Sequence, residues 1–350
     1  MSQMALYRKY RPTKFSDLLE RGNVADALES SIKEGRISHA YLFSGGRGTG
    51  KTSIARIFAK ALQTDQSDIY EMDAASNRGI DEVRALREAV HTLPYRSKYK
   101  VYIIDEVHMM SKDAFNALLK TLEEPPSHVI FILATTDPEK LPDTVISRCQ
   151  HFKFKKPSEK TLRDMVISVG KGEGFVVENG GAELMAILGD GSFRDTLGIL
   201  QKVISFASEK KVTEKHVLEV TGAPSSAIVN SIIEGIENAK VEDVLLSIRE
   251  ASESNSDMKS LAKLVIRKVR AVMLLRYAPT MEKSIKEEYS EHDFVLLQKL
   301  SQSKSSRLGA RSLSRLLVAY EESGRSHLPQ LSLELAAIEL CANVKEVGST

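Results

Sequence analysis

Over the first 157 positions, short apolar runs alternate with longer stretches whose apolar residues recur every three or four places. The runs are Ala40-Tyr-Leu-Phe43, Asp68-Ile-Tyr-Glu-Met72, Val101-Tyr-Ile-Ile104, Val129-Ile-Phe-Ile-Leu133 and a short His151-Phe-Lys-Phe154. The third and fourth are nearly continuous Val, Ile, Phe and Leu, as expected of strands buried on both faces of a parallel sheet. Residues 52–62, 80–91 and 112–123 carry helical spacing between them. Strand–helix alternation of this kind predicts an α/β domain, a parallel sheet flanked by helices, over residues 1–157.

From Ser158 to about residue 222 the pattern turns helical. Ser158 is placed as an N-cap, and Gly170, Gly189 and Gly191 punctuate helix ends. This stretch is expected to form a small helical domain. A second all-helical stretch, 223–347, follows Gly222-Ala-Pro224 and is broken by Ser-rich turns near 252–256 and 301–306. Its segments 261–275 and 308–319 carry arginines and lysines. Their Leu and Val spacing reads as core plus solvated face, with apolar surface available for subunit packing.

Composition narrows the function. A chain of 350 residues with 42% hydrophobic and 27% charged residues can bury a core and is not disordered throughout. The formal net charge is +2, and after Val220 there are 17 basic and 17 acidic residues, so neither half is a basic block that would coat nucleic acid by bulk charge. The two cysteines, Cys149 and Cys341, exclude a disulfide framework and an all-cysteine zinc site within one chain. They suit a reducing cytoplasm. No signal-peptide pattern opens the chain, and the apolar run 129–134 falls far short of the roughly 20 residues needed to span a bilayer.

Gly45-Gly-Arg-Gly-Thr-Gly-Lys51-Thr52 follows a predicted strand and opens a predicted helix, the context a phosphate loop requires. Its glycines let backbone N–H groups turn inward toward phosphate oxygens. Lys51 is expected to neutralise the β- and γ-phosphates of ATP, and the Thr52 hydroxyl to ligate Mg²⁺. The nucleotide set is Gly45, Gly48, Thr49, Gly50, Lys51, Thr52 and Ser53. Asp105 and Glu106 end a buried strand at the sheet edge where α/β proteins carry ligands. Asp105 fits the Mg²⁺ role and Glu106 the base that polarises water, so the pair argues for hydrolysis over transfer to an acceptor. His108 reads as a packing or hydrogen-bonding residue. Thr135 or Thr136, after the next strand, could reach the γ-phosphate or the attacking water. Arg148, in Ser147-Arg-Cys149, is either a surface charge or a finger completing a neighbouring subunit's site. Arg194, in Gly191-Ser-Phe-Arg-Asp195, is either a helix-end partner of Asp195 or a site residue.

Taken with Ala5-Leu-Tyr-Arg-Lys-Tyr-Arg-Pro12, Phe15, Asp73-Ala-Ala-Ser-Asn-Arg-Gly-Ile-Asp81, Asp105-Glu-Val-His-Met-Met110, Asn116-Ala-Leu-Leu-Lys-Thr-Leu-Glu-Glu-Pro-Pro126 and Ala134-Thr-Thr-Asp-Pro138, these motifs resemble the bacterial clamp-loader AAA+ ATPases. The match runs in order over about the first 200 residues; beyond it the chain is similar only in being helical. The resemblance implies a P-loop AAA+ domain, a helical lid and a helical collar. It also implies a motor of DNA replication that opens a sliding clamp and closes it on primed DNA, within a five-membered arc of subunits. It assigns Thr136 (or Thr135) as first sensor, Arg194 as second sensor in cis and Arg148 as a catalytic finger in trans. The segment from Arg8 to Pro12 would flank the adenine. The helices starting near Arg78 and Ser111 would face the DNA backbone, so that phosphates rather than base edges are read.

Three departures stand out. The family's four-cysteine zinc module is replaced by Ala61-Leu-Gln-Thr-Asp-Gln-Ser67, so no zinc site is expected. Leu19-Glu-Arg-Gly22 stands where the family carries Gly-Gln-Glu. The long tail that binds helicase and polymerase is not present in this sequence, and no polymerase active-site pattern is visible. The competing readings are a stator-like subunit that has lost hydrolysis, against which Lys51 and Glu106 both stand, and another AAA+ machine such as a Holliday-junction branch migration motor.

Overall fold

The computed structural model describes residues 4–20, 22–76, 86, 88–207, 209–303, 307–323 and 327–342. Arg21, Arg78 and most of the segments 77–81 and 80–91 therefore lie outside the described residues, as do 304–306 and 343–347. The chain divides into two compact units, Met1–Gly174 with Met185–Gln201, and Phe175–Leu184 with Lys202–Thr350.

The first unit is built on five parallel strands in the order β2-β3-β4-β1-β5. They are β1 (Ala40–Gly45), β2 (Ile69–Asp73), β3 (Lys100–Asp105), β4 (Val129–Thr135) and β5 (Gln150–Phe154). All five apolar runs read from the sequence are strands. The pleat sends alternate residues to opposite faces. Val101, Ile103, Ile130 and Ile132, with Tyr41 and Phe43, pack on Leu28 of α2 (Gly22–Lys33) and on Ile54 and Phe58 of α3 (Lys51–Ala61). Tyr102, Ile104, Phe131 and Leu133 pack on Phe115, Leu118 and Leu122 of α4 (Lys112–Glu123). Every residue of β4 is buried, which explains its unbroken apolar run. Each such side chain contributes about 1.5–3 kcal/mol on leaving water.

Register brings the motifs to one edge. Ile104 pairs with Leu133, and Thr135 with Ser44, so β3, β4 and β1 deliver Asp105, Thr136 and Gly45 to the same carboxyl end of the sheet. The unit also holds α1 (Leu6–Lys9), α5 (Asp143–Ile146), α6 (Glu159–Gly172) and the start of α8 (Phe193–Phe206); α7 (Asn179–Leu188) belongs partly to each unit. Ser158 caps α6 by accepting from Thr161 N at 3.1 Å. Gly170 does not end that helix, which runs on to Gly172. Tyr10 closes over this end so tightly that a Cβ at Gly172 would lie 2.5 Å from its hydroxyl oxygen.

The second unit begins with a feature absent from the sequence reading, a parallel pair of two-residue strands, β6 (Val176–Val177) and β7 (Lys211–Val212). The rest is helical: α9 (Glu214–Thr221), α10 (Ser226–Glu237), α11 (Val241–Glu253), α12 (Met258–Tyr277), α13 (Glu282–Glu288), α14 (Glu291–Ser301), α15 (Ala310–Glu322) and α16 (Leu331–Cys341). The long α12 is central, burying Leu261, Leu264, Val265, Val269, Val272 and Leu275 against α10, α14 and α15. Its basic residues serve the interior too. Lys268 Nζ donates to Asn230 Oδ1 at 2.6 Å and Ser226 Oγ at 2.7 Å and pairs with Asp293 at 2.9 Å. Arg276 donates to the carbonyls of Leu300, Ser301 and Leu308 near the end of α14. No helix among the described residues is long and apolar enough to cross a membrane.

Candidate nucleotide site

The loop between β1 and α3 supplies the centre of the site. Gly48 and Gly50 take positive φ, 70° and 99°, which turns the backbone in a way a side chain would resist. A Cβ at Gly48 would also collide with Ser192, whose neighbour Phe193 donates its N–H to the Gly48 carbonyl at 3.0 Å. The Thr49 hydroxyl donates back to Gly46 O at 2.9 Å, bracing the loop.

Lys51 opens α3 with its side chain only 5% exposed. Its ammonium donates to the carbonyls of Gly45 and Gly46 at 2.8 and 2.9 Å, and no carboxylate reaches it among the described residues. Burial is the main cause that pulls its pKa below the ordinary lysine value; the charges of Glu106 and Asp105 oppose this, and that of Arg194 adds to it. Arg11 lies nearby, donating Nε to Ser53 Oγ at 2.9 Å. Its pKa is likewise lowered, first by burial and then by Arg56, with Arg194 contributing in the same direction. The charge of Arg194 thus bears on both Lys51 and Arg11.

The acids stand opposite. Thr52 Oγ1 donates to Asp105 Oδ2 at 2.7 Å, and Glu106 N donates to Asp105 Oδ1 at 3.0 Å. Glu106 adopts the left-handed region, φ 47°, at the turn out of β3. A non-glycine residue there marks backbone held by its surroundings. Its Oε2 accepts from both the N–H and the hydroxyl of Thr136, at 3.1 and 2.9 Å. Thr135, fully buried, instead shares a hydrogen bond with His108 Nδ1 at 2.9 Å and accepts from Asp137 N at 3.0 Å. Thr136, and not Thr135, is therefore the threonine that touches an acid of the site.

The residues present fit a nucleoside polyphosphate with a divalent cation. A buried ammonium hydrogen-bonded only to carbonyls of the glycine loop keeps its charge free for an anion, with the charge of Arg194 on the same side and those of Glu106 and Asp105 across from it. A threonine hydroxyl and a carboxylate already in contact are the hard oxygen donors that Mg²⁺ prefers.

The other sequence candidates fall elsewhere. Arg194 is exposed at the start of α8, its guanidinium 5.7 Å from the Tyr7 ring centroid. Arg8 lies over the same ring at 5.8 Å, and Pro12 is half-buried. Arg148 donates to Thr144 O at 2.8 Å and to Glu123 Oε1 at 2.7 Å, so its contacts in this chain are with α5 and α4, not with the phosphate loop. Ser111 caps α4 by accepting from Ala114 N. Sequence reasoning gave no role to Tyr7 or Ser192 and placed Arg11 only within the segment expected to flank the adenine. All three lay inside the quoted motifs, but only the fold shows that Arg11 reaches Ser53, that Ser192 packs on Gly48 and that Tyr7 faces Arg194.

Residues 21–79 and 65–158 match the family model described as DNA polymerase III, delta subunit. The chain is 37% identical over 362 residues to the DNA polymerase III subunit tau of Bacillus subtilis, covering 97% of this chain and 64% of that protein. It is 31% identical to the DNA polymerase III subunit gamma of Buchnera aphidicola, covering 86% of this chain and 87% of that one. The chain spans 64% of the length of the Bacillus relative and 52% of the gamma/tau subunits of Mycobacterium. Among solved structures, the Thermotoga maritima RuvB Holliday junction branch migration motor superposes with a TM-score of 0.53 at 21% identity, over 65% of this chain and 79% of that one. That likeness shows the shared AAA+ fold.

Proposed function

Because the chain belongs to the gamma/tau family of DNA polymerase III subunits, we propose that it is the ATP-hydrolysing motor subunit of a clamp loader, opening a sliding clamp and closing it on primed DNA. The observation that carries this reading is the joining of Thr52 to Asp105 at 2.7 Å beside a buried Lys51 that has no acid partner among the described residues.

In this reading Gly45, Gly48, Thr49, Gly50 and Ser53 cradle the phosphates with backbone and first-turn groups, and Lys51 neutralises the β–γ end. Thr52 and Asp105 hold Mg²⁺, which when bound offsets phosphate charge during transfer. Glu106, oriented by Thr136 through Oε2, accepts a proton from the attacking water. Arg194 acts in cis, and Arg148 leaves Glu123 to stabilise charge in a neighbouring subunit's site. Arg8 and Pro12 flank the adenine. The division of labour is a nucleotide-binding domain over 1–157, a lid over 158–222 and a collar over 223–347. The exposed Leu331, Leu335 and Ile338 on one face of α16 offer the collar an apolar surface for subunit packing. The partners are other loader subunits in a five-membered arc, the clamp, and the backbone of primed DNA facing the N-terminus of α4. The protein works in the cytoplasm and contributes no polymerase active site.

Steady-state ATP hydrolysis by the chain assembled with its loader partners tests this, measured with neither, either or both of clamp and primer–template DNA. A large increase that needs both supports clamp loading. A rate indifferent to the clamp but raised by branched DNA would replace it with a branch-migration motor.

A further inference from the structure

We infer that Tyr7 is a positioning residue for Arg194: its ring seats the guanidinium beside the phosphate loop and leaves the arginine's N–H groups available to the nucleotide. The inference rests on the reading of this loop as an ATP site.

Arg194 has no hydrogen bond or ion pair to another described residue; what it has is the face of Tyr7, 5.7 Å from the ring centroid. The start of α8 abuts the loop, Phe193 N donating to the Gly48 carbonyl at 3.0 Å, and the charge of Arg194 is among the causes that lower the pKa of Lys51 and Arg11. A carboxylate partner would occupy the donors of a guanidinium and cancel its charge. An aromatic face does neither, since it attracts the cation through its quadrupole. The segment that carries Tyr7 is fixed from three sides. Leu6 N donates to Gln201 Oε1 at 3.0 Å, two turns along α8 from Arg194. Lys9 and the Tyr10 hydroxyl both donate to Glu173 Oε1, at 2.7 and 2.6 Å. Arg11 ties the same segment to Ser53 of the phosphate-loop helix. Residues 6–11 thus strap α8 to α3, and Tyr7 is the point at which the strap meets the arginine.

The test is steady-state hydrolysis in the assembled loader, with ADP affinity measured on the chain, for Tyr7→Phe, Tyr7→Leu, Arg194→Ala and Tyr7→Leu combined with Arg194→Ala. Tyr7→Phe keeps the ring and should stay within about 2-fold of the wild type. Tyr7→Leu should lower kcat about 2- to 5-fold with KM and ADP affinity unchanged. The double variant should be no worse than Arg194→Ala alone. Additive losses, a matching fall in ADP affinity, or a Tyr7→Phe as impaired as Tyr7→Leu would overturn the inference. So would a Tyr7→Leu that hydrolyses normally while Arg194→Ala is impaired, and that outcome leaves the ATP-site reading intact. Failure of the wild type to bind ADP would instead sink the site itself.

Discussion

Three lysines among the described residues are buried, Lys51 at 5% exposure, Lys100 at 3% and Lys268 at 6%, and the first and last are treated in opposite ways. Lys268 is matched inside its own unit: Asp293, Asn230 and Ser226 all reach its ammonium, tying α12 to α10 and α14. Lys51 receives only two loop carbonyls as hydrogen-bond partners, with the charges of Glu106 and Asp105 opposing its burial and that of Arg194 adding to it. Burial is the leading cause that lowers the pKa of both. The lesson is that burial alone does not mark a functional lysine. An acid partner within the fold ties Lys268 to its neighbouring helices, whereas Lys51 is marked by the glycine loop around it and the Thr52–Asp105 pair beside it, since Lys100 too is held by carbonyls, those of Ala89 and Thr92.

The sharpest way to break this contrast is to alter each site and look for effects in the other's observable. Glu106→Gln removes the proposed base next to Lys51 and should cost about 100-fold or more in kcat, with ATP still bound and the melting temperature little changed. Retained turnover would remove Glu106 from the chemistry. Lys268→Ala leaves Asp293 buried and unanswered. Its unfolding free energy should fall by about 3–5 kcal/mol in denaturant titration, with ATP affinity of the folded protein unchanged. Replacing Lys268, Asp293 and Asn230 together by apolar residues of similar size should recover much of that loss.

Acid gives a smaller, graded effect. Burial raises the Asp293 pKa, but hydrogen bonds from Asn230, Lys268 and Ser226 outweigh it, so the folded value lies below the ordinary one. The sign follows from linkage: the unfolded carboxylate takes up protons first. The contribution of Asp293 is thus complete above the unfolded pKa of about 3.9 and fades as pH falls through the folded value. Asp293→Asn should flatten that part of the stability–pH curve. An unchanged slope would mean that the network does not bind the proton differentially.

Much of this was legible in the sequence because it is written in local pattern. The five strands carried short apolar runs, nearly continuous in β3 and β4, which are buried on both faces, and interrupted by polar residues in β2 and β5, which are partly exposed. The phosphate loop and the Asp105–Glu106 pair were visible as motifs, and the rule that ligands sit at the carboxyl strand ends supplied their meeting place. What escaped depends on distant contacts. The strands β6 and β7 have two residues each, too few to show a period. Gly170 read as a helix end, yet the helix continues to Gly172 beneath Tyr10. Thr135 and Thr136 were indistinguishable as neighbours until their hydrogen bonds separated them. The basic residues of α12 looked like surface; Lys268 and Arg276 turned inward because acids and helix-end carbonyls of other segments await them.

The most direct test of the central contrast is calorimetric titration of Mg²⁺ and ATP onto the wild type and Lys51→Ala, with thermal unfolding of both in the absence of nucleotide. One ATP bound per wild-type chain, binding lost in Lys51→Ala, and an unliganded melting temperature no lower than wild type is the predicted result. Binding that survives in Lys51→Ala, or a variant that unfolds as readily as Lys268→Ala, would show that Lys51 is structural and contradict the account.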